Sequence, residues 1–266
     1  MNNSKIGVSI VLPTLNEKEN LQLLIPELIN VVNKNDIENY EIIVVDDNST
    51  DDTSLYIESL QTKNKNIRII VRKDKNSLPK SIYEGIISSK QSHVMWLDAD
   101  GSMDSESVDK LIKKQIENPE EVFVGSRFIE NGGYKGQEKE ENYNFLQYLK
   151  KISNSEDSLI AIILSKYFNK IIGFLLDIGV SDLTSGFIIG KKEYFIDDVF
   201  SDSVYGEYFI YLMKNLKEKD ISVNEIGYYC KPRHAGVSKT STNYIILIKL
   251  SLPYIKAAIK TNLRRN

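Results

Sequence analysis

Two aspartates that stand one residue apart, Asp98 and Asp100, end an apolar run near the middle of the chain. The pattern predicts a buried strand that brings two carboxylates to the edge of a sheet. Mg²⁺ and Mn²⁺ prefer such carboxylates together with the phosphate oxygens of a substrate. Because Asp-Ala-Asp also occurs in ordinary solvated turns, the pair alone leaves both interpretations open, and its sequence context has to decide.

Apolar runs of strand length recur along the chain and alternate with helical patterns. The predicted strands cover residues 8–12, 41–45, 67–71, 94–97 and 122–124. Strands that alternate with helices indicate βαβ units and a mainly parallel sheet. Pro13 is expected to stop the first strand, and Ser49 with Asp52 resembles a capping box that opens the helix after the second. Ligands of such sheets bind beyond the carboxyl ends of the strands, so we expect the acidic residues there to converge on one crevice.

Composition restricts the class of protein. The chain has 266 residues, of which 41% are hydrophobic and 27% charged, which suits one large globular domain or a domain with an appendage. The net charge of −3 argues against a dedicated nucleic-acid-binding protein. A single cysteine, Cys230, excludes an internal disulfide and a cysteine-based zinc cluster. With no signal peptide and no apolar run of about 20 residues, the chain is expected in the cytoplasm or on the cytoplasmic face of a membrane.

Two standard phosphate-binding motifs are missing from the sequence. No Gly-x-Gly-x-x-Gly follows the first strand, and no Gly-x-x-x-x-Gly-Lys-Ser/Thr occurs. A diphosphate would therefore have to be held by a metal on carboxylates together with basic side chains. This requirement favours the metal interpretation of Asp98 and Asp100.

Six ordered motifs resemble the family 2 glycosyltransferases of the GT-A fold. They are Pro-Thr-Leu-Asn-Glu at 13–17, Val-Val-Asp-Asp-Asn-Ser at 44–49, Leu-Asp-Ala-Asp at 97–100, Val-Gly-Ser-Arg-Phe at 124–128, Ser-Asp-Leu-Thr-Ser-Gly-Phe at 181–187 and Arg-His-Ala-Gly-Val-Ser-Lys at 233–239. The last two resemble the branch with dolichyl-phosphate mannose synthase and bacterial polyprenyl-phosphate glucosyltransferases. The resemblance covers roughly residues 8–239. It implies an α/β fold with a mainly parallel, Rossmann-like sheet flanked by helices.

The resemblance also implies a donor site. The implied nucleotide-sugar-binding residues are Pro13, Glu17, Asp46, Asp47 and Asp98. Arg72 is added as a candidate because it lies in the basic loop after the third predicted strand. The implied ligands of an Mg²⁺ or Mn²⁺ cofactor are Asp98, Asp100 and Ser102. For Asp47, capping of a strand or helix end is the alternative. Leu15 stands where the family usually has an aromatic residue, so the choice of nucleotide stays open, and Ser102 replaces a glutamine ligand of some relatives.

Phosphate-binding residues are implied on the acceptor side. They are Arg127, Arg233, Ser238 and Lys239, and the implied catalytic residues are Asp98, Asp100, Arg127 and Asp182. Relatives that glycosylate a sugar hydroxyl often carry a Glu-Asp pair as general base, whereas residues 182–187 contain no such pair. A phosphate monoester needs no deprotonation because its second pKa is near 6. The acceptor is therefore predicted to be a phosphate, and Asp182 would position a sugar hydroxyl or a neighbouring base.

Two later segments, residues 159–177 and 241–266, predict amphipathic helices. Their polar stripes consist of Lys166, Lys170 and Asp177 in the first, and of Lys249, Lys256 and Lys260 in the second. Such helices bind a membrane interface, or they pack on a core with a solvated lysine stripe. We expect a glycosyltransferase domain over residues 1–240 and a basic helix over 241–266. A charged insert over residues 130–158 would be either a loop over the acceptor site or simply a solvent-exposed loop.

The function predicted from the sequence is metal-dependent, inverting transfer of a hexose from GDP-mannose or UDP-glucose to a polyprenyl or dolichyl phosphate. The enzyme would contact the membrane peripherally, with no nucleic-acid partner, and a membrane-anchoring subunit is a further expected kind of partner. One alternative is transfer to a sugar hydroxyl in glycan synthesis, for which no general base was found. Another is a module that binds sugar nucleotide without turnover, which the departures at Leu15 and Ser102 keep open.

Overall fold

The computed structural model describes residues 6–134, 159–231 and 244–263. Its strands are β1 (Val8–Thr14), β2 (Tyr40–Asp46), β3 (Ile67–Val71), β4 (His93–Trp96), β5 (Val122–Ser126), β6 (Gly133–Tyr134), β7 (Ile188–Lys191), β8 (Val223–Gly227) and β9 (Tyr229–Cys230). Its helices are α1 (Lys18–Lys34), α2 (Thr53–Lys63), α3 (Leu78–Ser88), α4 (Ser105–Glu117), α5 (Leu159–Leu176), α6 (Val199–Asp202), α7 (Tyr208–Glu218) and α8 (Tyr244–Leu263), with a 3-10 turn over Lys192–Phe195.

The main sheet of the described residues has the strand order β3-β2-β1-β4-β7-β5-β8. Neighbouring strands run parallel, except that β7 is antiparallel to both β4 and β5. Every residue of β1 is buried, including Ser9 and Thr14, which is why this interior strand is mostly apolar. Strands β6 and β9 form a separate parallel pair. The predicted α/β class with a mainly parallel sheet is confirmed, while the antiparallel β7 was not predicted.

Helices cover both faces of the sheet. On one face, α1, α2 and α4 bury apolar residues such as Leu24, Ile57 and Leu111. On the other face, α3, α5, α6, α7 and α8 do the same with residues that include Ile86 and Phe209. The sheet is thus the middle of three layers, and its strand ends are the part that the helices leave accessible.

Two local expectations about strand and helix ends are wrong. Strand β1 runs through Pro13 to Thr14, because β4 pairs with β1 only as far as Val11 and the sheet is already open on one side of the proline. Ser49 does not cap α2, because its hydroxyl and backbone N–H donate to Asp46 instead. The backbone N–H of Thr53 at the start of α2 donates to Asp51, at 3.0 Å.

Helices α5 and α8 lie side by side on the second face of the sheet. The ring of Phe168 meets that of Tyr254 edge-on, with 6.1 Å between ring centroids. Ile172 and Ala258 face the core from these two helices. In the three described ranges, no helix is both long and apolar enough to cross a bilayer.

Candidate active site

The carboxyl ends of β1, β2 and β4, which are adjacent in the sheet, bring the predicted donor-site residues to one edge. Thr14 ends β1 opposite Asp46 at the end of β2, and Asp98 follows two residues after the end of β4. The structure therefore brings together acidic segments that the sequence separates by 29 residues, from Glu17 to Asp46, and by 52 residues, from Asp46 to Asp98. Pro13 is buried in β1, and Glu17 is half-buried in the loop that follows it.

Hydrogen bonds tie the loop after β1 to the loop after β2. Asn16, in a left-handed conformation with φ 59°, donates its N–H to the Ser49 hydroxyl at 2.8 Å. The Asn16 side-chain oxygen accepts from the Thr50 N–H at 2.7 Å, and the Lys18 N–H donates to Asp51 at 3.0 Å. Asn16 was not assigned a role from the sequence. The signal was present, because asparagine is enriched at left-handed positions between a strand and a helix.

The carboxylate of Asp46 is buried and locally satisfied. Ser49 donates to it with both its N–H, at 3.2 Å, and its hydroxyl. The Thr14 hydroxyl adds a longer contact at 3.4 Å. The structure thus shows Asp46 ordering the loop after β2, and its predicted contact with the nucleotide stays a prediction.

Asp47 and Arg72, both predicted to bind the donor, form a close ion pair with each other. Asp47 also accepts the Ser77 N–H at 2.6 Å, and Arg72 Nε donates to Glu84 at 2.9 Å. The Arg72 side chain is 1% exposed, and its Nη2 is a buried donor without a partner among the described residues. This arginine therefore holds Asp47 and the loop after β3 in place.

The Asp98–Asp100 segment forms the turn that the sequence pattern predicted. Gly101 adopts φ 78°, a conformation that a side chain would disfavour. The Ser102 N–H donates to Asp100 at 2.9 Å, and the Ser102 carbonyl accepts the Lys231 N–H at 2.9 Å. Asp100 and Ser102 are buried, whereas Asp98 is half-exposed. The two carboxylates thus stand at the end of β4 in a loop anchored to the end of β9.

The oxygen ligands in this turn suit a hard divalent cation that also binds the phosphates of a substrate. Within the described chain, no group of three or more His, Cys, Asp and Glu residues could hold a metal ion by itself. Mg²⁺ typically binds to one or two carboxylates and completes its shell with water and substrate phosphates. Asp98 and Asp100 provide the two carboxylates, and Ser102 is the residue that follows the turn.

Arg127, at the end of β5, forms a buried bidentate ion pair with Asp182. Its Nε and Nη2 donate to the two carboxylate oxygens at 2.7 and 2.8 Å, and its backbone N–H adds a third bond at 3.0 Å. Thr184 donates its hydroxyl to the same carboxylate at 3.1 Å, and Asn169 on α5 donates to that hydroxyl at 3.2 Å. Asn169 was not predicted from the sequence as a site residue, although an amide in an apolar helix is a signal for such a buried contact.

The environment of Arg127 keeps its guanidinium charged. Burial alone would lower the pKa of Arg127, but the charge of Asp182 outweighs it and raises that pKa well above its ordinary value. The rings of Phe128 and Tyr134 lie 5.4 and 5.7 Å from the guanidinium carbon, in cation–π range. Two of the three guanidinium nitrogens are thus committed to Asp182, and the predicted phosphate contact of Arg127 stays a prediction.

Three predicted phosphate-binding residues, Arg233, Ser238 and Lys239, lie outside the described residues, as does most of the insert over residues 130–158. Glu207, which was not assigned from the sequence, is buried at the start of α7. Its carboxylate accepts the N–H groups of Val204 and Tyr205 at 2.7 and 2.8 Å. Both of its oxygens therefore stabilise the loop before α7.

A mainly parallel sheet of this order, with carboxylates in a turn at the end of its central strand, is the architecture of the GT-A fold. Residues 9–198 match the sequence model described as Glycosyl transferase family 2, and the chain belongs to this family. It is 31% identical over 186 residues to the dolichol-phosphate mannosyltransferase of Pyrococcus furiosus, a match that covers 70% of this chain and 46% of the relative. The relative of the same name from Saccharomyces cerevisiae is 31% identical over 128 residues, or 48% of this chain and 47% of that protein.

Solved structures share the fold at low sequence identity. Glucosyl-3-phosphoglycerate synthase from Mycobacterium tuberculosis, in complex with Mn²⁺, uridine diphosphate and phosphoglyceric acid, superposes with a TM-score of 0.62 at 14% identity, covering 98% of this chain and 80% of that one. Mannosyl-3-phosphoglycerate synthase from Rubrobacter xylanophilus gives 0.62 at 16% identity, covering 98% and 74%. At such identities the likeness establishes the GT-A fold alone. The chain spans less than half the length of the curated relatives it matches.

Proposed function

We propose that this glycosyltransferase moves a hexose from a nucleoside-diphosphate sugar to a polyprenyl phosphate at a membrane surface. The names of the curated relatives support this acceptor class, and the Mn²⁺ complex of a fold neighbour supports a divalent metal. The proposal divides the chain into a glycosyltransferase domain over residues 1–240 and a basic C-terminal helix over 241–266. It places the enzyme on the cytoplasmic face, where a membrane-anchoring subunit could hold it.

The observation that carries the choice of acceptor is the commitment of Asp182 to Arg127. A sugar hydroxyl needs a base with a free oxygen within hydrogen-bond reach. Asp182 is fully buried, and both of its oxygens accept hydrogen bonds from Arg127. Glu207 is likewise occupied by two backbone N–H groups. A phosphate acceptor, which is already ionised at neutral pH, requires no such base.

The site residues then have separate tasks. Asp98 and Asp100 would hold the Mg²⁺ or Mn²⁺ ion, with Ser102 next to them, and the ion when bound stabilises charge on the departing diphosphate. Asp46, Asp47, Pro13 and Glu17 would line the nucleoside pocket, with Arg72 holding Asp47. An oxygen of the acceptor phosphate would attack the anomeric carbon opposite the diphosphate, forming one carbon–oxygen bond as the other breaks and inverting the configuration.

An exposed apolar surface on α5 and α8 supports the membrane contact. Phe174 is 85% exposed, and its neighbours on this surface are also exposed. The exposed apolar residues are Tyr167, Ile171, Phe174 and Leu175 on α5, and Leu252, Ile255 and Ile259 on α8. Lys166, Lys170, Lys256 and Lys260 are exposed on the same two helices. Each basic residue near an anionic lipid surface contributes about 1 kcal/mol of binding.

Transfer of labelled sugar into lipid tests the function. Purified protein receives Mg²⁺ or Mn²⁺, a short polyprenyl phosphate, and either GDP-mannose or UDP-glucose, and the organic-extractable label is counted. We expect label from one donor, its loss in Asp100→Ala, and its retention in Asp198→Ala, which changes an exposed aspartate outside the site. Metal-dependent release of free sugar without lipid product would refute the lipid acceptor while keeping the donor site.

A further inference from the structure

Tyr254 is an inward-facing residue of α8. Leu252, Ile255 and Ile259 of this helix are more than a third exposed, whereas Tyr254 is half-buried against the core of the second face. Its ring is held by the edge-on contact with Phe168 of α5. The side chain therefore points away from the exposed surface of α8 and toward the core of the second face.

The Tyr254 hydroxyl lies against the backbone of Gly206, in the loop before α7. A Cβ added at Gly206 would overlap this hydroxyl, so the close approach depends on the glycine. The loop is fixed, because Glu207 accepts its N–H groups and the next residue, Tyr208, accepts the Trp96 Nε1–H at 3.0 Å. Trp96 is the last residue of β4, so Tyr254 is positioned relative to the strand that carries Asp98.

Burial and several polar groups affect the Tyr254 hydroxyl. Burial raises the pKa of the Tyr254 hydroxyl most, Tyr205 and Glu207 raise it further, Arg127 lowers it, and Asp98 raises it. The hydroxyl therefore stays protonated at neutral pH. Its position follows from its contacts, since it lies on Gly206, two residues before the Tyr208 that bonds to the end of β4, and its ring meets Phe168, next to the Asn169 that bonds to Thr184 beside Arg127. No hydrogen bond joins it to another of the described residues, which leaves its proton available to a ligand.

We propose that Tyr254 is a binding residue of the acceptor subsite, where its hydroxyl donates a hydrogen bond to the acceptor phosphate. This inference rests on the proposed function. In that function the hydrocarbon chain of the acceptor lies in a bilayer against α5 and α8, and its phosphate has to reach the turn after β4. Tyr254 is the inward-facing residue of α8 whose hydroxyl lies on the loop bonded to the end of that strand. A neutral hydroxyl donates to an ionised phosphate without surrendering its proton, so it binds the nucleophile and leaves its charge intact.

Steady-state kinetics of Tyr254→Phe test the inference. This change removes one oxygen and keeps the ring between Phe168 and Gly206. A hydrogen bond to a charged group corresponds to roughly a tenfold to hundredfold effect on binding. We therefore expect the KM for the short polyprenyl phosphate to rise by that factor, with the KM for the donor sugar nucleotide unchanged. Tyr56→Phe is the matched control, because Tyr56 is a half-buried tyrosine in the groove between α1 and α2, and it should leave both constants unchanged.

A second variant tests the same inference without changing Tyr254 itself. Gly206→Ala adds a methyl group where the Tyr254 hydroxyl now lies, so it should displace the ring and raise the acceptor KM as well. An unchanged acceptor KM in Tyr254→Phe, or an equal rise in both constants, would overturn the assignment and leave the proposed function standing. If the wild-type protein makes no lipid product with any donor, both the assignment of Tyr254 and the proposed function are overturned.

Discussion

The substitution Asp182→Asn distinguishes two possible roles of this carboxylate, a structural counter-ion of Arg127 and a general base. The substitution preserves the size of the side chain and removes its charge. In the native protein this carboxylate is fully buried and accepts from Arg127 Nε and Nη2 at 2.7 and 2.8 Å. An amide replaces one accepting oxygen with a donor, so Arg127, whose side chain is only 15% exposed, keeps its charge without a counter-ion.

The expected loss of unfolding free energy follows from this geometry. Removing one partner of a buried ion pair typically costs about 3–5 kcal/mol. Arg127 would retain the Thr184 hydroxyl at 3.0 Å and its contacts with Phe128 and Tyr134, so we expect the lower end, about 3 kcal/mol. This loss is large against a total unfolding free energy of about 5–15 kcal/mol.

Urea unfolding measures this loss. The fluorescence of Trp96 is a suitable probe, because this residue is the single tryptophan of the chain and is 1% exposed. Asp177→Asn is the matched control. Asp177 pairs with Lys217 at 2.7 Å, but the side chains are 68% and 43% exposed, and asparagine tolerates the φ of 52° at this position. The control should change the unfolding free energy by less than about 1 kcal/mol.

The opposite pattern would refute the reasoning. If Asp182→Asn unfolded with a free energy close to that of the control while kcat fell about a hundredfold or more, the carboxylate would be acting on substrate. Asp182 would then be the missing base, and transfer to a sugar hydroxyl would become the better interpretation of the site.

Three further substitutions test other parts of the structure. Hydrogen bonds from Lys113 and Lys34 outweigh burial and lower the pKa of Asp109 from 3.8 to about 2. Because the folded-state pKa is depressed, Asp109 stabilises the protein above pH 3.8, and Asp109→Asn should cost roughly 1–2 kcal/mol at pH 5. That difference should shrink toward zero by about pH 2, and a pH-independent difference in urea unfolding would contradict the cause. Phe174→Asp should weaken binding to anionic vesicles, measured by sedimentation, about tenfold or more, and leave the unfolding free energy unchanged. Undiminished binding would exclude this surface as the membrane contact. Gly101→Ala should cost about 1–2 kcal/mol of unfolding free energy because its φ is 78°, and a neutral change would show that the turn relaxes.

The interior of the sheet was predictable because burial on both faces leaves an unambiguous pattern. Strands β1 and β2 are buried almost throughout and have mostly apolar centres, so they were recognised and only their ends were misjudged, as at Pro13. Strand β7, Ile188–Lys191, was missed, whereas the equally short β4 was recognised from the apolar run that precedes Asp98. Its antiparallel place between β4 and β5 is set by tertiary packing alone, which no local pattern encodes.

The candidate site was predictable where its residues follow strands. Asp46 and Asp98 lie on either side of the end of β1, because the carboxyl ends of parallel strands meet at one edge of the sheet. The partners of the basic residues were not predictable, since Arg127 and Asp182 are 55 positions apart and Arg72 and Asp47 are 25 apart. Sequence patterns indicate which residues carry charge, whereas the pairing of buried charges depends on distances that only the folded chain defines.

The antiparallel β7 imposes an order on the folding of this protein. Strands β5 and β8 join the rest of the described sheet only through β7, which pairs His93 with Lys191 across nearly a hundred residues of chain. During synthesis the first half emerges earlier and can assemble β3-β2-β1-β4 by itself. The strand with Arg127 has no edge to join until residue 191 has left the ribosome. We therefore expect nascent protein to form the β3-β2-β1-β4 part of its sheet first, and the slow, non-local step to be the pairing of β7 that adds β5 and β8.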